Sequence, residues 1–212
     1  EIEELDPNIL KRVPVRNDLN ELYFPDDKYQ IMPKDGYTTV FEKILNHRNI
    51  TVKLDTPFKD NMVSMYDYIF NSMPIDVYYR KKFGELPYRS LRFYHIDIPM
   101  IKVLPTSVVN NTNSSPYTRT TEWKNFPYHG KNSNWTSLTY EEPCDYVDNN
   151  YERYYPVKDI DGKNKELYEK YKAIRNDKME FIGRCGMYVY IDMHQAINSS
   201  LAAVARFRKR LK

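Results

Sequence analysis

Residues 181-FIGRCGMYVYIDMHQAINSSL-201 decide the fold that we expect for the C-terminal part of this chain. An apolar run ends at Gly183 and Arg184, and a helix rich in small residues follows Asp192. Asp192 and Gln195 have the spacing of a capping box, in which two side chains satisfy backbone N–H groups at a helix start. The stretch predicts a strand that presents a helix N-terminus, where partial negative charge is favoured, although an ordinary capped helix would show the same pattern.

Apolar residues recur at helical spacing after that start. Met193, Ile197, Leu201 and Val204 fall on one side of the predicted helix, so we expect them to form its buried face. The basic run 206-RFRKRLK-212 follows. We interpret it as the solvated last turn of the helix rather than as a docking site for a membrane or another anionic partner.

Composition limits the classes of function open to the chain. Its 212 residues are 41% hydrophobic, which is enough for the core of one or two domains. The 20 tyrosines exceed what a core needs and fit a sugar- or nucleotide-binding face, although an A/T-rich genome would leave the same bias. The net charge is only +3 and the basic residues are dispersed, so no nucleic acid partner is expected.

The cysteines and the apolar runs bear on compartment. Cys144 and Cys185 form no CxxC motif, so neither a disulfide framework nor a metal site is indicated. No apolar run approaches the length of a membrane span or of a signal-peptide core, and we expect no membrane insertion and a reduced, cytoplasmic protein. The sequence begins without methionine, and we expect it to be a piece of a longer protein.

Strand-like runs dominate the middle of the sequence, and few helices separate them. The predicted strands are 50-ITVKLDT-56, 66-YDYIFNSMPI-75, 89-RSLRFYHIDI-98, 107-SVVNNT-112, 117-YTRTTEW-123 and 136-TSLTYEEP-143. Helices are predicted after the Lys-Asp-Gly turn at 34–36, over 76-DVYYRKKFG-84 and over 163-KNKELYEKYKAIRN-176. The sequence therefore predicts an α+β fold: a largely antiparallel, mixed sheet of about six strands with flanking helices.

One strand carries an arginine suited to anion binding. On a strand over 115-SPYTRTTEW-123, Tyr117, Arg119 and Thr121 share a face, so Arg119 would lie between two hydroxyl groups and could contact phosphate oxygens. An exposed ion pair between Arg119 and a carboxylate such as Glu122 is the alternative. Arg12 and Arg16, ahead of Tyr23, leave the same two interpretations open.

Familiar catalytic patterns are missing from the 212 residues. The sequence has no GxSxG motif and no glycine-rich phosphate loop, and its four histidines lie far apart. Nucleophilic hydrolysis of that type is therefore not indicated.

Together these segments resemble the bacterial UDP-galactopyranose mutases, in the order and close to the spacing of that family. The matching segments are 10-LKRVPVR-16, 23-YFPDDKYQIMPKDGYTTVFEKIL-45, 74-PID-76, 83-FGELPYRSLRF-93, 116-PYTR-119, Glu122, 154-YYPVK-158 and 181-FIGRCGMYVYIDMHQAI-197. The resemblance covers nearly the whole chain. Members of the family begin with a dinucleotide-binding βαβ unit that carries GxGxxG, so the resemblance implies that this chain is the later part of such an enzyme.

The resemblance implies an activity and a domain plan. Family members interconvert UDP-galactopyranose and UDP-galactofuranose with reduced FAD, whose N5 atom attacks the anomeric carbon and displaces UDP. Residues 1–22 would end a helical domain, 23–158 would form the antiparallel-sheet substrate domain, and 159–212 would be the helix, strand and helix that complete a Rossmann-like FAD-binding domain. The complete enzyme would then be an α/β protein.

The resemblance also assigns roles to residues. Arg12 and Arg119 match the catalytic arginines on the pyrophosphate. The substrate-binding residues would be Arg12, Tyr23, Asn110, Arg119, Tyr155 and Tyr190. The flavin-contacting residues would be Arg184, Asp192, Met193 and Gln195.

The sequence departs from the family in some places, and two alternative functions stay open. The family's Thr-Gly-Pro-Ile-Asp is 71-NSMPID-76 here, with Met73 in place of a glycine. The family's uridine-stacking tryptophan and histidine-bearing loop lie upstream, so we expect this chain alone to be inactive. The resemblance also implies that the complete protein is a homodimer and that it serves galactofuranose-containing surface polysaccharide. A nucleotide-sugar-binding module without flavin chemistry is the alternative, and an amine-oxidase-like flavoenzyme is a weaker one.

Overall fold

The computed structural model describes residues 17–18, 25–29, 31–129 and 133–211. The strands are β1 (Ile69–Asn71), β2 (Tyr88–Ile98), β3 (Val108–Asn110), β4 (Arg119–Glu122), β5 (Thr136–Asp145), β6 (Tyr155–Pro156) and β7 (Met179–Phe181). The α-helices are α1 (Gly36–Leu45), α2 (Ile75–Tyr78), α3 (Lys163–Lys172), α4 (Gly183–Gly186) and α5 (Met193–Arg210). Short 3-10 helices cover Asp60–Met65, Trp123–Asn125 and Val147–Asn149.

Five of the strands form an antiparallel sheet in the order β3-β4-β5-β2-β6. At one edge β3 pairs with β4, with Val108 opposite Thr121 and Asn110 opposite Arg119. At the other edge Tyr88 of β2 lies opposite Pro156 of β6. The predicted α+β class and the antiparallel pairing are confirmed.

The other two described strands form a separate parallel sheet. Ile69 of β1 pairs with Met179 of β7, and Asn71 pairs with Phe181. The expectation of one sheet of about six strands is therefore wrong, because the predicted strand 66–75 shortens to β1 and joins β7 instead. This pairing joins segments more than a hundred residues apart, which local alternation cannot reveal.

The described chain divides into two compact units. The first unit contains the described residues up to Leu54 together with Tyr94–Asn111 and Arg119–Tyr140. The second unit contains Asp55–Phe93, Thr112–Thr118 and the described residues from Glu141 onward. Strands β2 and β5 contribute residues to both units.

The core of the second unit is built mainly from aromatic side chains. Its buried members are Ile75, Leu86, Tyr88, Tyr146 and Tyr171. Leu167 and Ile174, both within the segment predicted as a helix over 163–176, pack against this cluster. The Tyr171 hydroxyl donates to the carbonyl oxygen of Gly84 at 2.5 Å, so the α3 region is tied to the turn before β2.

The helix predicted over 76–84 ends early. Its helical part stops at Tyr78, and Arg80 and Lys81 adopt left-handed φ angles of 53° and 54°. Asp76 is buried and accepts a hydrogen bond from the backbone N–H of Leu86 at 3.1 Å. The chain therefore turns back at this carboxylate towards β2 instead of extending the helix.

The strand predicted over 50–56 is absent from the described structure. Ile50, Val52 and Leu54 are exposed and the segment has no regular secondary structure. A strand exists only when a neighbour completes its ladder of hydrogen bonds, and alternating apolar residues do not supply that neighbour. The helix predicted after the Lys-Asp-Gly turn is confirmed as α1, although none of its residues is buried.

Helix α5 begins where the sequence predicts but buries a different face. Asp192 and Gln195 form the expected capping box. The four residues expected to be buried are 41% to 64% exposed, and they are called the apolar stripe below: Met193, Ile197, Leu201 and Val204. The helix packs instead through Ala203, which is fully buried, and through Phe207, which stacks on Tyr68 with ring centroids 4.3 Å apart.

In the part of the chain that the structure describes, no helix combines the length and the apolar character that crossing a membrane requires.

Candidate functional site

The β3–β4 pair brings together two residues that were assigned to substrate binding. Asn110 is the last residue of β3 and Arg119 is the first of β4, and the antiparallel register sets them opposite each other. The Arg119 guanidinium donates from Nε to the Asn110 Oδ1 atom at 3.2 Å. Both residues are exposed. The pair therefore presents a planar cation, oriented by an amide, at the accessible end of the ladder.

The surroundings of Arg119 differ from the strand-face interpretation. Strand β4 starts at Arg119, so the alternation does not extend back to Tyr117. Thr121 is buried, and so is Thr120. Arg119 thus does not stand between two exposed hydroxyl groups on one strand face, and the amide of Asn110 on the neighbouring strand is its described partner.

Glu122, the alternative ion-pair partner, has a different environment. Its side chain is fully buried and accepts hydrogen bonds from the Thr136 hydroxyl, the Asn125 amide and the backbone of the segment before β3. Burial alone would raise the pKa of Glu122, but these hydrogen bonds outweigh it and hold the pKa below its ordinary value near 4.5. Ionised Glu122 therefore stabilises the fold above that value, and the contribution is lost as pH falls through the lowered pKa.

Two tyrosines assigned to substrate binding meet in the second unit. The rings of Tyr155 and Tyr190 have centroids 5.5 Å apart and are inclined at 58°. The guanidinium carbon of Arg184 lies 4.8 Å from the centroid of the Tyr190 ring, within the range of a cation–π contact. Tyr190 is half exposed. This cluster offers an accessible phenol beside a cation.

Arg184 also ties together the two backbone segments that carry these tyrosines. Its Nη1 atom donates to the carbonyl oxygen of Tyr154 at 2.7 Å, and its Nη2 atom donates to that of Ile191 at 2.6 Å. The first carbonyl precedes Tyr155 and the second follows Tyr190. Sequence reasoning missed this role, because no local pattern shows which distant carbonyl groups an arginine side chain will reach.

The residues at the start of α5 are accessible. Asp192 has an extended backbone, and its N–H donates to the Gln195 Oε1 atom at 2.8 Å. Met193 and Gln195 are exposed. The first turn of an 18-residue helix is thus open to a ligand that carries partial negative charge. Among the described residues, no cluster of His, Cys, Asp and Glu has the arrangement of a metal site.

Comparison with known proteins decides the family. The family model of the UDP-galactopyranose mutases matches residues 1–190. The chain belongs to the UDP-galactopyranose mutase family.

Curated relatives match this chain along nearly all of its length. The chain is 35% identical over 211 residues to a probable UDP-galactopyranose mutase of Klebsiella pneumoniae, and the match covers 96% of this chain and 52% of the relative. It is 33% identical over 224 residues to a dTDP-fucopyranose mutase of Escherichia coli, covering 100% of this chain and 57% of the relative. A UDP-galactopyranose mutase of Mycoplasma pneumoniae is 32% identical over 216 residues, with coverages of 95% and 54%. The chain therefore spans about half the length of these curated relatives.

Not every residue that the UDP-galactopyranose mutase resemblance singled out can be placed. Arg12 and Tyr23 lie outside the described residues. Asn110 and Arg119 belong to the first unit. The second unit contains Tyr155, Arg184, Tyr190, Asp192, Met193 and Gln195.

Met73, which the resemblance set in place of a family glycine, fits its position without backbone strain. Its φ angle is not in the left-handed region, and its N–H donates to the Asn71 Oδ1 atom at 2.9 Å. The tight approach in this region is made by Gly186, where a Cβ atom would come within 2.9 Å of the Asn71 carbonyl oxygen. The glycine that close packing requires here is therefore Gly186.

Proposed function

We propose that the complete protein containing this chain is a flavin-dependent isomerase that interconverts UDP-galactopyranose and UDP-galactofuranose. The observation that carries the proposal is the exposed Arg119–Asn110 pair, presented by the β3–β4 ladder of a chain that belongs to the mutase family. The names of its Klebsiella and Mycoplasma relatives support this choice of substrate.

The proposed task of Arg119 is to hold negative charge on the departing nucleotide. A guanidinium binds pyrophosphate oxygens through charge-assisted hydrogen bonds, and its contribution is largest where charge develops during the reaction. Arg12 shares this task in the proposal. Tyr23, Tyr155 and Tyr190 would donate hydrogen bonds to the phosphates and the sugar. Asn110 would keep the Arg119 guanidinium oriented for the pyrophosphate.

We further propose that the start of α5 holds reduced FAD. The exposed first turn fits a group with partial negative charge, and Asp192, Met193 and Gln195 lie there. When bound, the reduced flavin supplies the nucleophile for the anomeric carbon. Arg184 would act beside it by holding Tyr155 and Tyr190 in place through the carbonyl groups that it binds.

The second unit supports the proposal that residues 159–212 complete a Rossmann-like domain. A parallel sheet is normally wide and covered by helices on both faces. Here the parallel sheet has two strands in the described part of the chain, and the apolar stripe of α5 faces solvent. Upstream strands and helices of the complete protein would extend this sheet and cover the stripe. The proposed plan keeps 1–22 as the end of a helical domain and 23–158 as the substrate domain, with β1 of that segment lending a strand to the Rossmann-like sheet.

The remaining parts of the proposal rest on the family resemblance. The complete protein would be a cytoplasmic homodimer that supplies galactofuranose for surface polysaccharide.

A second substrate pair is favoured by a specific observation. The dTDP-fucopyranose mutase of Escherichia coli aligns with the whole of this chain, at an identity within two percentage points of the Klebsiella relative. Both names contain a nucleoside diphosphate linked to a six-carbon sugar, and Arg119 would serve either one through the pyrophosphate. A nucleotide-sugar-binding module without flavin chemistry is the further alternative.

The decisive experiment is an assay of the complete protein with and without dithionite. We expect UDP-galactofuranose to be converted to UDP-galactopyranose only in the reduced sample, because only reduced flavin is nucleophilic at N5. Chromatography of the nucleotide sugars gives the readout, with dTDP-fucopyranose assayed in parallel. Turnover of the dTDP sugar alone would move the protein to the second substrate pair. A yellow, folded protein that binds UDP but converts neither sugar would contradict the mutase and favour the binding module.

Replacing Arg184 with methionine should weaken UDP binding to the complete protein by roughly tenfold or more. The carbonyl groups of Tyr154 and Ile191 would lose a charged donor, and hydrogen bonds to charged groups contribute about 1.5–3 kcal/mol each. Calorimetric titration with UDP measures the change. The exposed Arg175 is the matched control, and Arg175→Met should bind UDP as the wild type does. Equal affinity in the Arg184→Met protein would show that Arg184 does not position the tyrosines.

A further inference from the structure

Glu122 is a buried carboxylate within three residues of the proposed catalytic arginine. Its side chain is fully buried in the first unit. An ionised carboxylate removed from water is costly unless hydrogen bonds compensate it, so its partners indicate what it does. Those partners come from three different segments of the unit.

The first partner segment is the chain that leads into β3. The backbone N–H of Leu104 donates to Oε2 of Glu122 at 2.6 Å, and that of Val103 donates to Oε1 at 3.1 Å. The other two partners lie after β4: Asn125 Nδ2 donates to Oε2 at 2.9 Å, and the Thr136 hydroxyl donates to Oε1 at 2.6 Å. Glu122 therefore joins the approach to β3, the 3-10 helix Trp123–Asn125 and the start of β5.

Asn125 strengthens the same connection. Its amide nitrogen also donates to the carbonyl oxygens of Leu104 at 3.2 Å and Thr106 at 3.0 Å. The backbone N–H of Glu122 donates to the Ser107 carbonyl oxygen at 2.8 Å, one residue before β3 begins. The approach to β3 is thus held at both its N–H and its C=O groups.

This connection bears on the register between β3 and β4. The two strands have three and four residues, and such a short ladder has little stability of its own. A slip of one residue would turn each β3 side chain to the opposite face. With Ser107 held against Glu122 at one end, Asn110 lies opposite Arg119 at the other.

We infer that Glu122 is a positioning residue for Arg119, because it fixes the approach to β3 and so sets the register in which Asn110 orients the guanidinium. This inference rests on the proposed function of Arg119. A carboxylate suits the role because an ionised carboxylate only accepts hydrogen bonds, and every partner described above donates. Glutamine has the same shape but would turn an NH₂ group towards some of these donors.

The test is a double-mutant cycle on UDP affinity in the complete protein, using Glu122→Gln, Arg119→Ala and the double variant. We expect Glu122→Gln to fold and to bind UDP about tenfold more weakly. In the Arg119→Ala background the same change should alter affinity less than about twofold, because the residue through which Glu122 acts is gone. Equal losses in both backgrounds would show that Glu122 acts on stability alone and would overturn the inference.

A matched control separates positioning from general destabilisation. Thr139 is another buried polar residue of the first unit, and its hydroxyl accepts a hydrogen bond from Trp123 Nε1 at 2.6 Å. Thr139→Val should lower the melting temperature while UDP affinity stays within about twofold of the wild type. If affinity follows melting temperature across both variants, the inference fails.

Two further outcomes are distinguishable. If Glu122→Gln does not fold, Asn125→Ala takes its place in the cycle, since it removes three hydrogen bonds from the same connection and leaves the carboxylate. We expect Asn125→Ala to weaken UDP binding when Arg119 is present and to change it little in the Arg119→Ala background. An equal loss of UDP affinity in both backgrounds would overturn the inference. If the wild-type complete protein does not bind UDP, the proposed function itself fails. That result is separate from the differences among variants, which test only the inference about Glu122.

Discussion

Arg119→Ala in the complete protein is expected to lower kcat/KM for UDP-galactofuranose by about 10²–10³, equivalent to roughly 2.7–4 kcal/mol of transition-state stabilisation. The reason is the proposed location of the guanidinium on the pyrophosphate, where negative charge grows as UDP leaves. If Arg119 binds there, its orientation by Asn110 would aim the donor at the ligand before the reaction begins. Steady-state kinetics under dithionite would measure the loss.

Two comparisons show whether the loss belongs to Arg119. Arg119→Lys keeps the charge but not the fork of donors, so kcat/KM should fall less than in the alanine variant while remaining below the wild type. Arg48 is an exposed arginine of the same unit, and Arg48→Ala should leave kcat/KM unchanged. Full turnover by Arg119→Ala would remove Arg119 from the mechanism.

Tyr88→Ala is expected to cost the fold about 3–5 kcal/mol of unfolding free energy, as the loss of a large buried aromatic side chain does elsewhere. Tyr88 is fully buried in the second unit, and its ring meets the Tyr188 ring edge-on with centroids 5.3 Å apart. Burial raises the pKa of Tyr88, so its hydroxyl remains protonated and donates to the Cys185 carbonyl oxygen at 3.2 Å. Urea unfolding of the complete protein would measure the change.

Phenylalanine separates the two contributions of this side chain. Tyr88→Phe keeps the ring and loses only the hydroxyl, so it should cost about 1 kcal/mol. Tyr66 has an exposed side chain in the same unit, and Tyr66→Ala should change stability by no more than about 0.5 kcal/mol. A Tyr88→Ala protein as stable as the Tyr66→Ala protein would show that the aromatic cluster is not the core of this unit.

Elements defined by local patterns were predicted well from the sequence. Alternation over residues 89–98 and 136–143 gave β2 and β5, and the Asp192–Gln195 spacing gave the start of α5. In each of these elements the pattern that stabilises the element is contained in the element itself.

Elements that depend on a distant neighbour were not predicted. The pairing of β1 with β7 joins residues 69 and 179, and no pattern near either one identifies the other. The apolar stripe shows the limit of periodicity: it identified an amphipathic helix but not whether the described chain would cover that face. The segment 50–56 has the alternation of a strand and lacks the neighbour that would make it one.

The candidate site also has parts that were predicted from the sequence and parts that were not. The family resemblance supplied Arg119 and Asn110, and the β3–β4 register shows why two residues nine positions apart meet. Glu122, the alternative partner considered for Arg119, was not predicted to be buried. Strand β4 buries Thr120, Thr121 and Glu122 in succession, which strand alternation does not indicate, and a buried carboxylate needs hydrogen-bond donors.

The open edges of the two-stranded parallel sheet have a practical consequence for handling this chain. In the described part of the chain β1 and β7 each have one neighbouring strand, so each has one edge without a strand beside it. An edge without a neighbour can pair with a strand of another molecule, although strands of three residues limit this. The exposed row of Met193, Ile197, Leu201 and Val204 adds an apolar surface in the same unit. We therefore expect this chain, produced by itself, to aggregate, and its solubility would measure whether these surfaces are covered.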